Sequence, residues 1–202
     1  MKIKTYPNLL LKEDQDKLKA LAAPNMTKAM VGRAGQRIYS SGRIAENFKF
    51  LEDNDITITL KKFAANQFGQ PLENVEPIEV CMYDTFGYYY LHRDDAIGDR
   101  LGAVYVALND DYEGGDIFFP RIGAMITNLP AGSAIGWKCG KETAKEIRPI
   151  TVGKFWLAMI YVNKFKQLEI KDTVIDTVSK ESRKKAESKI IIPKDTSHKE
   201  DN

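Results

Sequence analysis

The sequence predicts a mainly β domain, a sandwich or jelly roll, preceded by two helices that pack on the outside of one sheet. Three observations predict it. From Pro77 onward the chain runs through short segments rich in β-branched and aromatic residues: IEVCMYDTF, GYYYLH, LGAVYVALN, DIFFP, AMITNLP, SAIGWKC, KEIRPI and KFWLAMIYV. Asp-Asp, Gly-Gly, Pro and Pro-Ala-Gly separate them, as turns separate strands. Roughly eight such strands, with no helical pattern between them, exclude a βαβ fold.

The third observation lies upstream, where the apolar period changes. In KEDQDKLKALAA, Leu18, Leu21 and Ala22 recur at helical spacing until Pro24 stops the run. A second helix is expected from about Ile56 to Phe68. Ile56, Leu60, Phe63 and Ala64 form one apolar stripe, and Gly69 just beyond it suits a helix end.

At 43% hydrophobic, the 202 residues can bury a core and make one domain. Thirty basic residues against twenty-eight acidic leave a net charge of +2, which gives no nucleic-acid footprint. The short run RKKAESK is flanked by acids and reads as a solvated face. Cys81 and Cys139 are too few for a disulfide scaffold and suit a reducing compartment. The first residues, MKIKTYPNLLLKED, carry no sustained apolar leader, and no stretch approaches the roughly 20 apolar residues of a membrane span. The expectation is a soluble protein without membrane or nucleic-acid partners, cytoplasmic where it is made.

The domain is expected to occupy residues 1–163. Residues 164–202 read as a charged C-terminal tail, extended or ordered by a partner, because Lys, Arg, Glu and Asp interleave there with few aromatics. Within it, Ile190, Ile191 and Ile192 suit addition of a strand to a protein partner or assembly.

The chemistry concentrates in YDTFGYYYLHRDD, Tyr83 to Asp95. Residues two apart on a strand share a face, so His92 and Asp94 can converge on one point. An imidazole nitrogen and a carboxylate oxygen facing one point are two of the three ligands of a facial iron(II) site. The pair alone is a weak signal.

Its context is specific. Tyr83, a glycine turn, then His92-x-Asp94 nine residues after the tyrosine (92 less 83) resembles the prolyl 4-hydroxylase-like family of iron(II)/2-oxoglutarate oxygenases. AVYVALNDDYEGGDIFF resembles the family's next strand and Tyr-Glu-Gly-Gly turn. LPAGSAIGW, Leu129 to Trp137, is similar to its proline-alanine-glycine turn, and RPITVGKFWLAMIYV to its last block. PNLLLKEDQDKLKALA, RIYSSG and GQPLENVEPIEVCMY resemble the lead-in, so the likeness runs in order over about residues 6–163. It implies a double-stranded β-helix, with His92 and Asp94 as metal ligands and Tyr83 at the co-substrate.

Two family positions are altered. The third ligand, a histidine four residues before the last block's proline, falls on Lys145, counting back from Pro149. A protonated lysine offers only donors. The basic residue two places after the last block's glycine, which pairs with 2-oxoglutarate, falls on Phe155 after Gly153. Lys154 is adjacent and is a candidate for the same role, although alternation sends it to the opposite face unless a bulge intervenes. Arg100 and Lys138 are the other cations that could serve 2-oxoglutarate, while Cys139, Glu142 and Glu146 are alternative third ligands. The Lys145 ammonium could instead pair with Asp94 where the ion would sit.

Two functions follow. One is a non-catalytic structural or binding module needing no cofactor. A phage particle component, and hence a virion location, is among its forms, since small members of the family are often phage-encoded. The alternative is an active hydroxylase of prolyl or other peptide side chains, using iron(II) and 2-oxoglutarate with a variant ligand set.

Overall fold

A computed structural model of the chain describes residues 3–33, 36–96 and 99–165. The tail expected from residue 164, with Ile190 to Ile192, lies almost wholly outside the described residues. In chain order the strands begin with β1 (Lys4–Tyr6), β2 (Thr27–Lys28), β3 (Val31–Arg33), β4 (Gln36–Ile38), β5 (Arg43–Ile44) and β6 (Glu46–Lys49). After the second helix come β7 (Glu79–Tyr83), β8 (Tyr88–His92), β9 (Arg100–Ala107), β10 (Glu113–Gly114) and β11 (Ile117–Phe119). The last are β12 (Ala124–Ile126), β13 (Ala134–Lys138), β14 (Lys145–Ile147), β15 (Ile150–Val152) and β16 (Phe155–Asn163).

These strands form a seven-stranded sheet, β1-β13-β9-β16-β7-β6-β2, and a five-stranded sheet, β12-β11-β14-β8-β5. The ribbons β3-β4 and β10-β15 stand beside them, and every pairing is antiparallel. This is the expected jelly roll with two helices. There are more strands than the sequence shows, because several are two or three residues long, too short to carry a periodic pattern.

The larger sheet is buried on both faces, and strand alternation assigns the faces. Val80, Val104, Val106, Ala158, Ile160 and Val162 pack towards the helices with Leu18, Ile56, Leu60 and Ala64. Their neighbours Cys81, Tyr83, Ala103, Tyr105, Ala107, Leu157, Met159 and Tyr161 point between the two sheets, joined there by Phe119, Trp137 and Phe155. A strand buried on both sides reads as continuous apolar sequence, which is how KFWLAMIYV reads.

Helix α1 (Lys12–Ala22) runs into a short 3-10 turn at Pro24. Helix α2 (Asp55–Phe68) is closed at both ends by local chemistry. Asn54 Oδ1 accepts hydrogen bonds from the Ile56 and Thr57 amides, and Thr57 Oγ1 accepts one from the Asn54 amide, a reciprocal cap. Gly69 adopts the left-handed conformation, φ 62°, that ends the helix. The Phe68 ring then lies directly on Gly102 of β9, where a Cβ would come within 2.1 Å of it. Among the described residues no helix is long and apolar enough to cross a membrane.

Candidate functional site

Strand β8 carries the site because of an irregularity. Lys145 pairs with His92 and Ile147 with Tyr89, so three residue steps on β8 face two on β14. Such a bulge breaks strict alternation. Tyr89 and His92 therefore both turn inwards, and their rings stack with centroids 3.5 Å apart at 10°. Tyr88 and Tyr90 stack with each other, 4.5 Å apart, and Tyr90 is exposed to solvent. Asp94 differs from expectation in its backbone: β8 ends at His92, and Asp94 opens a short 3-10 turn, Asp94–Ala96. The turn still brings Asp94 Oδ1 to 3.7 Å from His92 Nε2.

Lys145 enters from β14 and is fully buried. Its Nζ donates to Asp94 Oδ2 at 2.5 Å and lies 3.3 Å from His92 Nε2. The ammonium also sits 4.8 Å from the Trp137 ring and 5.1 Å from that of Tyr105, within cation–π range. His92 Nδ1 is 2.8 Å from the Tyr90 carbonyl oxygen, which can only accept, so Nδ1 carries the proton and Nε2 offers its lone pair to Lys145. Asp94 Oδ1 accepts from the Tyr105 hydroxyl at 3.4 Å, and Tyr105 and Tyr161 share a hydrogen bond at 3.1 Å.

The electrostatics agree with these protonation states. Burial, helped by the Lys145 charge, pushes His92 down to about 3, so its imidazole is neutral at pH 7. Burial alone would raise Asp94, but the Lys145 charge holds its carboxyl below the ordinary range. Burial draws Lys145 down while Asp94 opposes it.

A second layer lies behind Tyr89 and was not foreseen from the sequence. Arg43 of β5 places its guanidinium 4.7 Å over the Tyr89 ring. Its Nη2 donates to Glu79 Oε1 at 3.3 Å and to Cys81 Sγ at 2.8 Å. Arg100 lies 3.5 Å over the Tyr161 ring and grips Glu76 with Nε at 2.7 Å and Nη2 at 2.8 Å. Arg43, Glu79, Tyr89, His92, Asp94, Arg100 and Tyr161 line one pocket of about 440 Å³. Glu79 carried a signal, a charged residue at an inward position of an apolar strand. Arg43 carried none, because its two-residue strand has no period to read.

The other expected residues fall as follows. Tyr83 is buried inside the barrel, its ring centroid 6.5 Å from that of Phe155, and its hydroxyl feels the Arg43 guanidinium. Phe155 is fully buried and stacks on Tyr112, with centroids 4.2 Å apart. Lys154 is not at the site. Alternation sends it outwards, where its Nζ lies 3.4 Å from Asp84. Arg100 borders the site but is committed to Glu76. Lys138 is exposed. Glu142 and Glu146 lie beside Arg121 and Arg148, while Cys139 is half-buried, and burial together with the Asp94 charge raises its thiol against the opposing Lys145 charge.

Comparison with known proteins shows likenesses in sequence and fold. No family model matches the sequence. Prolyl 4-hydroxylase 5 of Arabidopsis thaliana is 27% identical over 151 residues, 68% of this chain and 50% of that protein. The alpha-2 subunit of Gallus gallus prolyl 4-hydroxylase is 26% identical over 173 residues, 76% of this chain and 32% of the subunit. The chain thus spans about half the length of the plant relative and less of the avian one. Among solved structures, the viral collagen prolyl hydroxylase of Paramecium bursaria Chlorella virus-1, in complex with 2OG, superposes with TM-score 0.65 and 21% identity, covering 81% of this chain and 96% of that one. A Pseudomonas putida prolyl-4-hydroxylase gives 0.60 and 16%, covering 81% and 92%.

The chain is prolyl 4-hydroxylase-like, with the jelly roll of the 2-oxoglutarate oxygenases. In this prolyl 4-hydroxylase-like barrel, the donor set does not fit iron(II). His92 and Asp94 supply two ligand atoms, and no group of three or more His, Cys, Asp or Glu side chains that could hold a metal ion occurs among the described residues. Lys145 Nζ stands within bonding reach of both ligand atoms and carries protons where a metal needs a lone pair. Phe155, where the resemblance leads to the expectation of a cation for 2-oxoglutarate, is fully buried and apolar.

Proposed function

We propose that this chain is a prolyl 4-hydroxylase-like binding module whose pocket receives a peptide without metal-dependent oxidation. One observation carries the reading: the Lys145 ammonium bridges Asp94 and His92 and completes their hydrogen bonding. The ammonium supplies positive charge to Asp94 as an ion would, but it holds no open coordination position for oxygen or a co-substrate. The peptide class is supported by the likeness to prolyl hydroxylases, one of which, from Trichoplax adhaerens, is solved in complex with a peptide fragment of the hypoxia inducible factor. A pocket of about 440 Å³ suits one side chain and its flanking backbone.

The test is anaerobic titration of the purified protein with iron(II) and 2-oxoglutarate. No charge-transfer absorption and no succinate release in air are expected. Either signal at stoichiometric iron would overturn the reading in favour of a variant-ligand hydroxylase.

A further inference from the structure

The two sheets are finished differently on the outside. Both helices pack on the larger sheet, whereas the outer face of the smaller one keeps Ile44 51%, Tyr90 61% and Met125 49% exposed. Strand pairing joins these residues into one patch. Ile44 stands opposite Tyr88 on β8, with Tyr90 two residues further on. Beyond the central strand, Phe118 of β11 lies between Glu146 of β14 and Met125 of β12. Their sequence neighbours Tyr89, Ile117, Phe119 and Ile147 fill the interior, so alternation sends this set outwards. A sheet face turned to water is ordinarily polar. An apolar one marks an interaction surface.

The chemistry of the patch narrows its occupant. Tyr88 and Tyr90 stack on each other, centroids 4.5 Å apart at 23°, which spends ring faces that a sugar would need. Arg148 is spent too. Its guanidinium lies 4.7 Å over the Phe118 ring, Nε donates to Glu146 at 3.3 Å, and Nη1 reaches Met125 Sδ at 3.6 Å. An arginine paired with a glutamate offers no net charge to attract a nucleic acid or an acidic chain. The face does fit a copy of itself. In a two-fold contact residue i meets residue j, and j meets i. With the axis crossing β14 at right angles to the strand, Glu146 of each copy meets Arg148 of the other, and aromatic rings meet their equivalents.

We propose that the outer face of the smaller sheet is a self-association surface, pairing two copies of this chain across β14. Each copy then supplies the covering layer that the helices supply on the larger sheet. The smaller sheet is five strands wide, and its strands hold two to five residues. At a strand spacing of about 4.8 Å, the face measures about 24 by 13 Å. That falls short of the roughly 800 Å² each partner buries in a standard interface, so the dimer is reversible, with a dissociation constant of about 10–100 μM. None of these residues lines the pocket, so the proposal stands apart from the binding-module reading.

The test is sedimentation equilibrium of the full chain at pH 7, from about 5 to about 500 μM, which brackets that constant. A monomer–dimer equilibrium is expected. Glu146→Arg and Arg148→Glu each set like charges opposite one another at both contacts, and each weakens self-association about tenfold or more. Mixing the two variants restores opposite charges at both contacts, so the mixture dimerises to within about threefold of wild type. In wild-type protein carrying 13C-labelled methionine methyl groups, the Met125 resonance shifts with protein concentration, a readout that needs no variant. A monomer at every concentration, a species larger than a dimer, or an unmoved Met125 resonance overturns the proposal and leaves the face to a different occupant. So does a mixture that associates no more tightly than either variant alone.

Discussion

Lys145 Nζ and Asp94 Oδ2 form a fully buried ion pair at 2.5 Å, with side chains 0% and 3% exposed. A pair of this kind earns little net stability over an apolar pair, but removing one member strands the other charge. Lys145→Met is therefore expected to destabilise the domain by about 3–5 kcal/mol in urea unfolding. Asp94→Asn alone strands the ammonium and costs a similar amount. The double variant should lose much less than the sum of the two, and strictly additive losses would refute the coupling.

Lys145→His tests the same position from the other side. A neutral imidazole offers the lone pair that an ammonium lacks, and beside His92 and Asp94 it completes a two-histidine, one-carboxylate set. The variant should bind about one equivalent of iron(II) anaerobically, measured by metal analysis after desalting, whereas the wild type retains none. With Phe155 unchanged, 2-oxoglutarate should still give no charge-transfer band. Equal iron in both proteins would show that Lys145 does not block the site.

The parts of this site differ in how far the sequence reveals them, for identifiable reasons. The inward set on β16, from Phe155 through Tyr161, follows from alternation, and so does the outward course of Lys154. Helix α2 announces its own ends at Asn54 and Gly69. The convergence of His92 and Asp94 was expected from strand geometry, but it is delivered by a strand end followed by a turn. The inward turn of Tyr89 depends on a bulge against β14, a pairing between distant segments with no local signature. Arg43 is invisible for a related reason. Its role depends on β5 pairing with β8, and two residues of strand carry no pattern.

Two buried carboxylates, Glu79 and Glu76, set an acid limb of stability. Burial pushes Glu79 up, but the Arg43 charge outweighs it with help from Lys49, Cys81 and Asn47, and the group falls from an ordinary 4.5 to about 2. Glu76 is lowered as well, with Arg100 overcoming its burial. A folded-state value below the unfolded one means that the unfolded chain binds more protons between the two. This stabilisation is complete above about pH 4.5 and is lost as pH falls towards 2. Urea midpoints should drop steeply across that window in the wild type. In Glu79→Gln the whole curve is lower but the acid limb is shallower, and a limb parallel to the wild type would show that Glu79 does not carry it.

The last expectation concerns how the helices are seated behind the site. Gly102 lies under the Phe68 ring, and any Cβ there would meet Phe68 Cε1, Cζ and Cδ1 at 2.1, 2.3 and 2.5 Å. These distances lie inside van der Waals contact, so Gly102→Ala must displace the ring or lift α2 from β9. Overpacking of this kind costs about 1–3 kcal/mol. The displacement would start two residues from Arg100, on the strand whose Tyr105 meets Asp94. Replacing Phe68 by leucine removes the clashing ring atoms, so adding Phe68→Leu to Gly102→Ala should return part of the lost stability in urea unfolding. If the double variant is no more stable than Gly102→Ala alone, the contact with Phe68 is not what requires glycine at this position.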